Sequence, residues 1–305
     1  MKVAEMFTTN ANPSQLLRND ELDFFGLTHP GKKRTENEDH FLACTVHPQV
    51  IVHATSLPNV DQLPLRGAVL ASIVLVADGV GGNAEGGKAS RIASETIMRY
   101  VDSSLRSYHE SGKNEDVFLE SLRSAVSEAH HAVRAEAKQR GDKRPMATTL
   151  TLGIVVWPWL YVVQLGDSRA YYYWEGTLTQ VTRDQTVAQE LVDQGVMPRE
   201  RLVSSPYRHV LSRAVGGDAE EAVPEVTRMR IDRFGSVLLL CSDGLTKHVT
   251  DDEIGKTIAA TARSEDICKT LLDTALDRGG LDNITVVVAR RRVVTPVAGT
   301  ASALG

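Results

Sequence analysis

The sequence predicts an α+β fold, with packed sheets beneath flanking helices. Three observations lead there. Apolar strands follow one another through short turns, amphipathic helices come in succession, and no linker or repeat divides the 305 residues. The composition agrees: 42% hydrophobic and 24% charged residues suit a globular chain and exclude a disordered or collagen-like one. The net charge of −5 gives no overall field for nucleic acid or an anionic membrane.

Each element has a local cause. Ser72–Ala77 is a β-branched apolar run stopped by Asp78-Gly79, and reads as a buried strand. Residues 86–108 repeat Ile92, Ala93, Ile97, Val101 and Leu105 on one helical face. Asn114 caps a second helix, whose apolar side runs from Val117 to Val133, and Gly112 between them suggests an antiparallel pair. Thr148–Val156, Leu160–Leu165 and Ala170–Tyr173 follow as strands. Trp157-Pro158-Trp159 and Gly166-Asp167-Ser168 read as their turns, which predicts antiparallel neighbours. Val237–Cys241 and Ile284–Ala289 are further strands. Between them lie helices at 251–260, opened by a Thr250/Glu253 capping box, and at 265–277, with Ser264 as its cap. Residues 1–20 and 294–305 read as flexible tails around a folded unit at 21–293.

Cys44, Cys241 and Cys268 are far apart and form no CxxC pair, so neither a disulfide framework nor a zinc knuckle is indicated. A reducing compartment follows. The start of the chain lacks the apolar core of a signal peptide, and the run from Ile154 to Val163 is too short to span a bilayer. A cytoplasmic location is expected.

Acids recur at strand ends. Glu38 and Asp39 precede Phe41–Val46, Asp78, Asp167 and Asp243 each end a strand, and Asp282 precedes one. Singly, each is a turn residue, since Asp-Gly is a favoured turn pair. Together, their spacing permits convergence on one sheet edge. Such a cluster repels itself without cations, and oxygen-only donors suit Mg²⁺ or Mn²⁺.

Read in order, Arg34-Thr35-Glu36-Asn37-Glu38-Asp39, Asp78-Gly79-Val80-Gly81-Gly82, Ala147-Thr148-Thr149, Gly166-Asp167-Ser168-Arg169, Ser242-Asp243-Gly244 and Asp282-Asn283 resemble the motifs of the metal-dependent Ser/Thr protein phosphatases, the PPM or type 2C family, in a bacterial form. The resemblance runs from about residue 22 to 292. It implies a four-layer αββα sandwich of two antiparallel sheets flanked by helix pairs, as a PPM-type catalytic domain with a flap at 186–220. It implies hydrolysis of phosphoserine and phosphothreonine in proteins, by in-line attack of a water bridging two divalent metals. Asp78 would bridge the two ions, Mn²⁺ or Mg²⁺. Asp243 and Asp282 would complete one set, and Glu38 or Asp39, with the Gly79 carbonyl oxygen, the other. Asp167, with Asp243, would support a third, weaker ion. Arg34 would clamp the substrate phosphate. Phosphorylated proteins, a Ser/Thr kinase among them, would be the partners of a monomeric enzyme. A catalytically silent regulatory module of the same fold is the alternative.

Two positions depart from the family pattern. Val80 stands where many eukaryotic relatives carry His, a general acid, and Asp184-Gln185 stands where many have Asp-His, with a modest effect expected. Arg208, His209 and Arg213 in the flap are candidates for substrate contact, and the 44–70 stretch is longer than the pattern requires. Other readings fail. Gly79-Val80-Gly81-Gly82-Asn83-Ala84 fits a dinucleotide fingerprint, but Asp78 would sit beside the pyrophosphate and no second parallel strand follows. No cysteine has Arg six residues on, and no HExxH occurs. His130-His131 is assigned to a helix's polar side, structural or solvated.

Overall fold

A strand apolar on both faces needs a layer on each side, and the central strands of this chain are of that kind. The computed structural model describes residues 21–47, 69–81, 84–110, 114–140 and 146–292. The expected tails, Gly112 and residues 48–68 of the long stretch lie outside the described residues. In chain order the elements are β1 (Leu22–His29), β2 (His40–Val46), β3 (Ala71–Ala77), β4 (Gly79–Val80), α1 (Ala84–Glu110) and α2 (Glu115–Arg140). Then come β5 (Ala147–Thr148), β6 (Leu150–Val156), β7 (Trp159–Leu165), β8 (Arg169–Trp174), β9 (Thr177–Gln180), α3 (Val187–Asp193), β10 (Val215–Gly216) and β11 (Glu225–Arg230). β12 (Val237–Cys241), α4 (Asp243–Thr246), α5 (Asp251–Ala260), α6 (Ser264–Asp277) and β13 (Ile284–Arg291) complete the chain.

One five-stranded sheet has the order β1-β13-β12-β8-β9, the other β11-β7-β6-β3-β2, and a small sheet joins β10, β5 and β4. All pairings within them are antiparallel. Side-chain alternation then builds the layers. On β3, Ile73, Leu75 and Ala77 pack with Ile97, Val101, Leu122 and Val126 of α1 and α2. The intervening Val74 and Val76 face Ala170, Leu238, Leu240 and Val287 of the other sheet. On β12, Leu239 and Cys241 turn outward to Ile254, Ile258, Ile267 and Leu271 of α5 and α6. Helices, sheet, sheet and helices therefore form four layers around three apolar interfaces, as the αββα expectation holds. No helix among the described residues is long and apolar enough to cross a membrane.

Three local expectations change. The strand expected from Thr148 breaks at Thr149, so that β5 joins the small sheet and β6 the large one. Gly166-Asp167-Ser168 is not a hairpin turn: β8 pairs with β12 and β9, in the sheet opposite β7. Three residues link strands across sheets as readily as within one, and Gly166 at φ 102° turns the chain there. Ser264 does not cap α6. Arg263 is the N-cap, and Ser264 instead donates from its backbone N–H to Asp23 Oδ2 (2.9 Å) and from its hydroxyl to the Asp23 carbonyl oxygen (2.8 Å), tying α6 to β1. The Thr250/Glu253 capping box is present, and Asn114 Oδ1 accepts from the Val117 N–H at 3.3 Å.

Leu240 is fully buried between the sheets. Leu240→Ala should cost about 2–5 kcal/mol of unfolding free energy in a denaturant titration. A cost below about 1 kcal/mol would contradict a close-packed inter-sheet layer.

Candidate active site

The acids at the strand ends meet at one end of the sandwich. A cavity of about 1230 Å³ is lined by Arg34, Glu38, Asp78, Gly79, Asp167, Asp243 and Asp282. Asp39 is the exception among the sequence-assigned residues. It lies behind the cavity wall, where its Oδ2 accepts from Ser242 Oγ and Thr285 Oγ1, both at 2.7 Å.

Backbone and side-chain bonds fix each position. Asp78 ends β3, and its N–H donates to Thr149 Oγ1 at 2.9 Å while its carbonyl oxygen accepts from the Thr149 N–H at 2.8 Å. Thr149 Oγ1 also meets Ser168 Oγ at 2.8 Å, joining the Asp78 and Asp167 turns. Thr149 is thus a shared peg beneath the acid that follows β3 and the acid at the crossing from β7 to β8. Gly79 packs on the Gly86 backbone so closely that a Cβ on Gly79 would overlap it. A Cβ on Gly86 would in turn come 2.8 Å from Glu38 Oε1. Asp243 opens α4 directly after β12.

Asn283 holds the loop that carries Arg34 and Glu38. Its Nδ2 donates to the carbonyl oxygens of Pro30 (3.1 Å) and Glu36 (2.8 Å), and its Oδ1 accepts from the Glu38 N–H at 2.9 Å. The motif Asp282-Asn283 therefore supplies an acid and its neighbour's anchor. Gln185 does similar work on the other sheet. Its Oε1 accepts from the Gly166 N–H at 2.9 Å, and its own N–H donates to the Gly166 carbonyl oxygen at 3.0 Å. It lies beneath the Asp167 turn and holds Gly166 from both sides of its peptide.

The flap ends are pinned together: Val187 N–H donates to the Val210 carbonyl oxygen, and Ser212 N–H to that of Gln185. Of its candidate residues, His209 and Arg213 line the main cavity, while Arg208 lines an adjoining cavity of about 590 Å³. Val80 lines the main cavity too. His130 is fully buried rather than on a polar face. Its Nδ1 accepts from the Gly216 N–H at 3.0 Å and its Nε2 lies 3.2 Å from the Ala219 carbonyl oxygen, which joins α2 to the cavity wall.

Charge is unevenly balanced here. Burial and then the neighbouring Asp39, Asp243, Asp167 and Asp282 push the Asp78 carboxyl well above the usual carboxylate range. Burial, with Asp243 and Asp184, raises Asp167 to about 8, and burial raises Asp39 to about 6. Burial also raises Glu38 against the pull of Arg34. Asp282 moves the other way, because Lys247 and Arg34 outweigh its burial. Arg34 Nε is 2.8 Å from Asp282 Oδ1 and its Nη2 3.1 Å from Oδ2. Lys247, which sequence reasoning passed over, places Nζ 2.6 Å from Asp243 Oδ2 and 2.8 Å from Asp282 Oδ2. Its spacing of four from Asp243 was the available signal.

Among the described residues no three His, Cys, Asp or Glu side chains stand as a ready metal cluster. Lys247 and Arg34 engage the acids instead. The donor set nevertheless fits hard cations, since it is all oxygen and strongly self-repelling. Glu38 Oε1 and Asp39 Oδ1 are buried without a hydrogen-bond partner, a costly state that a cation relieves.

The fold and this acid-lined edge point to one class, and comparison with known proteins agrees. The chain belongs to the family described as protein phosphatase 2C, whose model matches residues 53–278. That range includes Asp78, Asp167 and Asp243 and excludes Arg34, Glu38, Asp39 and Asp282. The serine/threonine protein phosphatase PstP of Mycobacterium tuberculosis is 37% identical over 219 residues, which are 72% of this chain and 40% of that protein. This chain thus spans under half the length of that relative. The crystal structure of M. tuberculosis PstP/Ppp superposes with a TM-score of 0.69 at 30% identity, covering 89% of this chain and 99% of that one. A structure of the PstP catalytic domain in complex with 2 manganese ions gives a TM-score of 0.67 at 29% identity, with the same coverage.

Raised carboxyl pKa values set a pH slope. From the ordinary carboxylate range up to about pH 8 the unfolded chain carries Asp167 ionised, whereas the folded protein favours its protonated form, and burial shifts Asp78 in the same direction. Folding stability falls as pH rises through that window, because the folded state binds more protons than the unfolded one. The melting temperature in chelator should therefore drop across that window, and saturating Mn²⁺ should remove the drop. A flat profile in chelator would contradict the buried acid cluster.

Proposed function

We propose that this protein hydrolyses phosphoserine and phosphothreonine in proteins, with two divalent ions, Mn²⁺ or Mg²⁺, as its cofactors. The observation that carries the proposal is the convergence of Glu38, Asp78, Asp167, Asp243, Asp282 and Arg34 on one cavity. The manganese in the PstP catalytic-domain structure supports the choice of ion. Asp78, Asp243 and Asp282 hold the ions with Glu38 or Asp39 and the Gly79 carbonyl oxygen. Asp167 is the residue for any further ion. When bound, the ions acidify water and neutralise charge on a phosphoryl group.

The chain's own groups do the rest. Arg34 offers a planar fork at the cavity wall, and its paired contacts to Asp282, through two nitrogens, support its use as a clamp for an oxyanion. In the reaction it orients the substrate phosphate and offsets charge on its oxygens. Val80 has no proton to give, so the leaving oxygen is protonated by solvent or another group. Burial and then Lys247 lower the His209 pKa, which suits it to hydrogen bonding more than to acid catalysis. The flap residues Arg213 and His209 border the phosphate position and meet the flanking peptide. Residues 21–293 form the catalytic unit. Phosphoproteins, a Ser/Thr kinase among them, are its substrates, and a monomeric cytoplasmic enzyme completes the proposal on sequence grounds alone.

Phosphopeptide and p-nitrophenyl phosphate hydrolysis should depend on Mn²⁺ and cease in excess chelator. Asp78→Ala should lose more than about a thousandfold in kcat. Activity surviving either treatment would rule out the two-ion mechanism, and absence of Mn²⁺-dependent turnover would favour the silent module. Arg34→Ala should lower kcat/KM about ten- to a hundredfold. An unchanged value would remove its phosphate role.

A further inference from the structure

Lys247 is the C-cap of the single-turn helix α4, four residues after Asp243. Its Nζ bridges acids from two different segments, Asp243 Oδ2 at 2.6 Å and Asp282 Oδ2 at 2.8 Å. The side chains involved are largely enclosed, 21% exposed for Lys247, 17% for Asp243 and 22% for Asp282. This differs from a surface ion pair, in which one flexible lysine meets one solvated acid. Lys247 also lines both the main cavity and the adjoining one, together with Asp167 and His209. His209 Nδ1 is 4.0 Å from the same Asp243 Oδ2. That oxygen faces the ammonium on one side and the flap on the other. A further cation shared between Asp167 and Asp243 would meet Nζ at close range, and like charges at such a distance repel.

We infer that Lys247 is a resident cation of the acid cluster: its ammonium takes the place of a third ion beside Asp243 and competes with divalent ions for Asp243 and Asp282. The inference rests on the two-ion reading above. Without divalent ions the ammonium holds the two acids together. With ions present it withdraws along its flexible stem, because a compact point charge on four methylenes can leave one oxygen for another. The site then takes two divalent ions, while one positive charge is supplied by the chain itself.

The test titrates the chelator-stripped protein with Mn²⁺, counting bound ions from the free-ion electron paramagnetic resonance signal, and melts each metal-free protein. Lys247→Met keeps the stem and removes the charge. Its metal-free melting temperature should fall by about 5 °C, and its Mn²⁺ affinity should rise about tenfold. Lys247→Asp adds an oxygen donor, and should bind a third, weaker equivalent that the wild type lacks. Three equivalents on the wild type would overturn the inference. So would a Lys247→Met protein with wild-type affinity and melting temperature, and that variant decides the matter if Lys247→Asp does not fold. If neither wild type nor variants bind Mn²⁺, the two-ion reading itself fails. Normal two-ion binding with an indifferent Lys247→Met removes only the lysine's role.

Discussion

Mutual repulsion among acids at one end of an apolar sandwich is the constraint on which the rest of this structure depends. Asp78 has Asp39, Asp167, Asp243 and Asp282 as its charged neighbours. A fold that gathers them must supply cations or keep protons on the acids. This one does both: burial and neighbouring acids push the Asp78 and Asp167 carboxyls toward their protonated forms, while Lys247 and Arg34 draw Asp282 down. The cluster is therefore a poor source of stability and a strong source of ion affinity. The three apolar interfaces carry the stability instead.

The architecture explains how the acids are brought together without a long excursion of chain. Each sheet delivers acids from its own strand ends, Asp78 from one, Asp243 and Asp282 from the other. The crossing between β7 and β8 delivers Asp167 at the seam itself. Thr149 and Ser168 clasp across that seam, and Asn283 secures the loop bearing Arg34 and Glu38. These anchors are short side chains with few rotamers to order, so holding the site costs little side-chain entropy.

Much of this was legible in the sequence, for physical reasons. Asp78, Asp243 and Asp282 stand where apolar period meets turn chemistry, so their strand ends were readable one by one. The capping box at Thr250 and the cap at Asn114 are local bonds that local sequence encodes. What escaped were relations set by packing. The Gly166–Ser168 link is the same three residues whether it turns a hairpin or changes sheet. Ser264 has a helix-capping composition, yet Asp23, remote in sequence, claims it. His130 looked like a polar-face residue because nothing in its neighbourhood announces Gly216 as its partner. Gln185 and Asn283 act through the backbone they hold, a role with no signature in a single chain.

The pinned neck of the flap has an evolutionary consequence. Bonds at Val187–Val210 and Gln185–Ser212 close the loop on itself, with His209 at that neck 4.0 Å from Asp243 Oδ2. Changes of length among the exposed residues between those bonds leave the strand ends in register. A chain of this kind can vary the outer part of its flap without disturbing the strand ends that carry the acids. The closed neck thus separates tolerance of change in the outer flap from the demands of the seam.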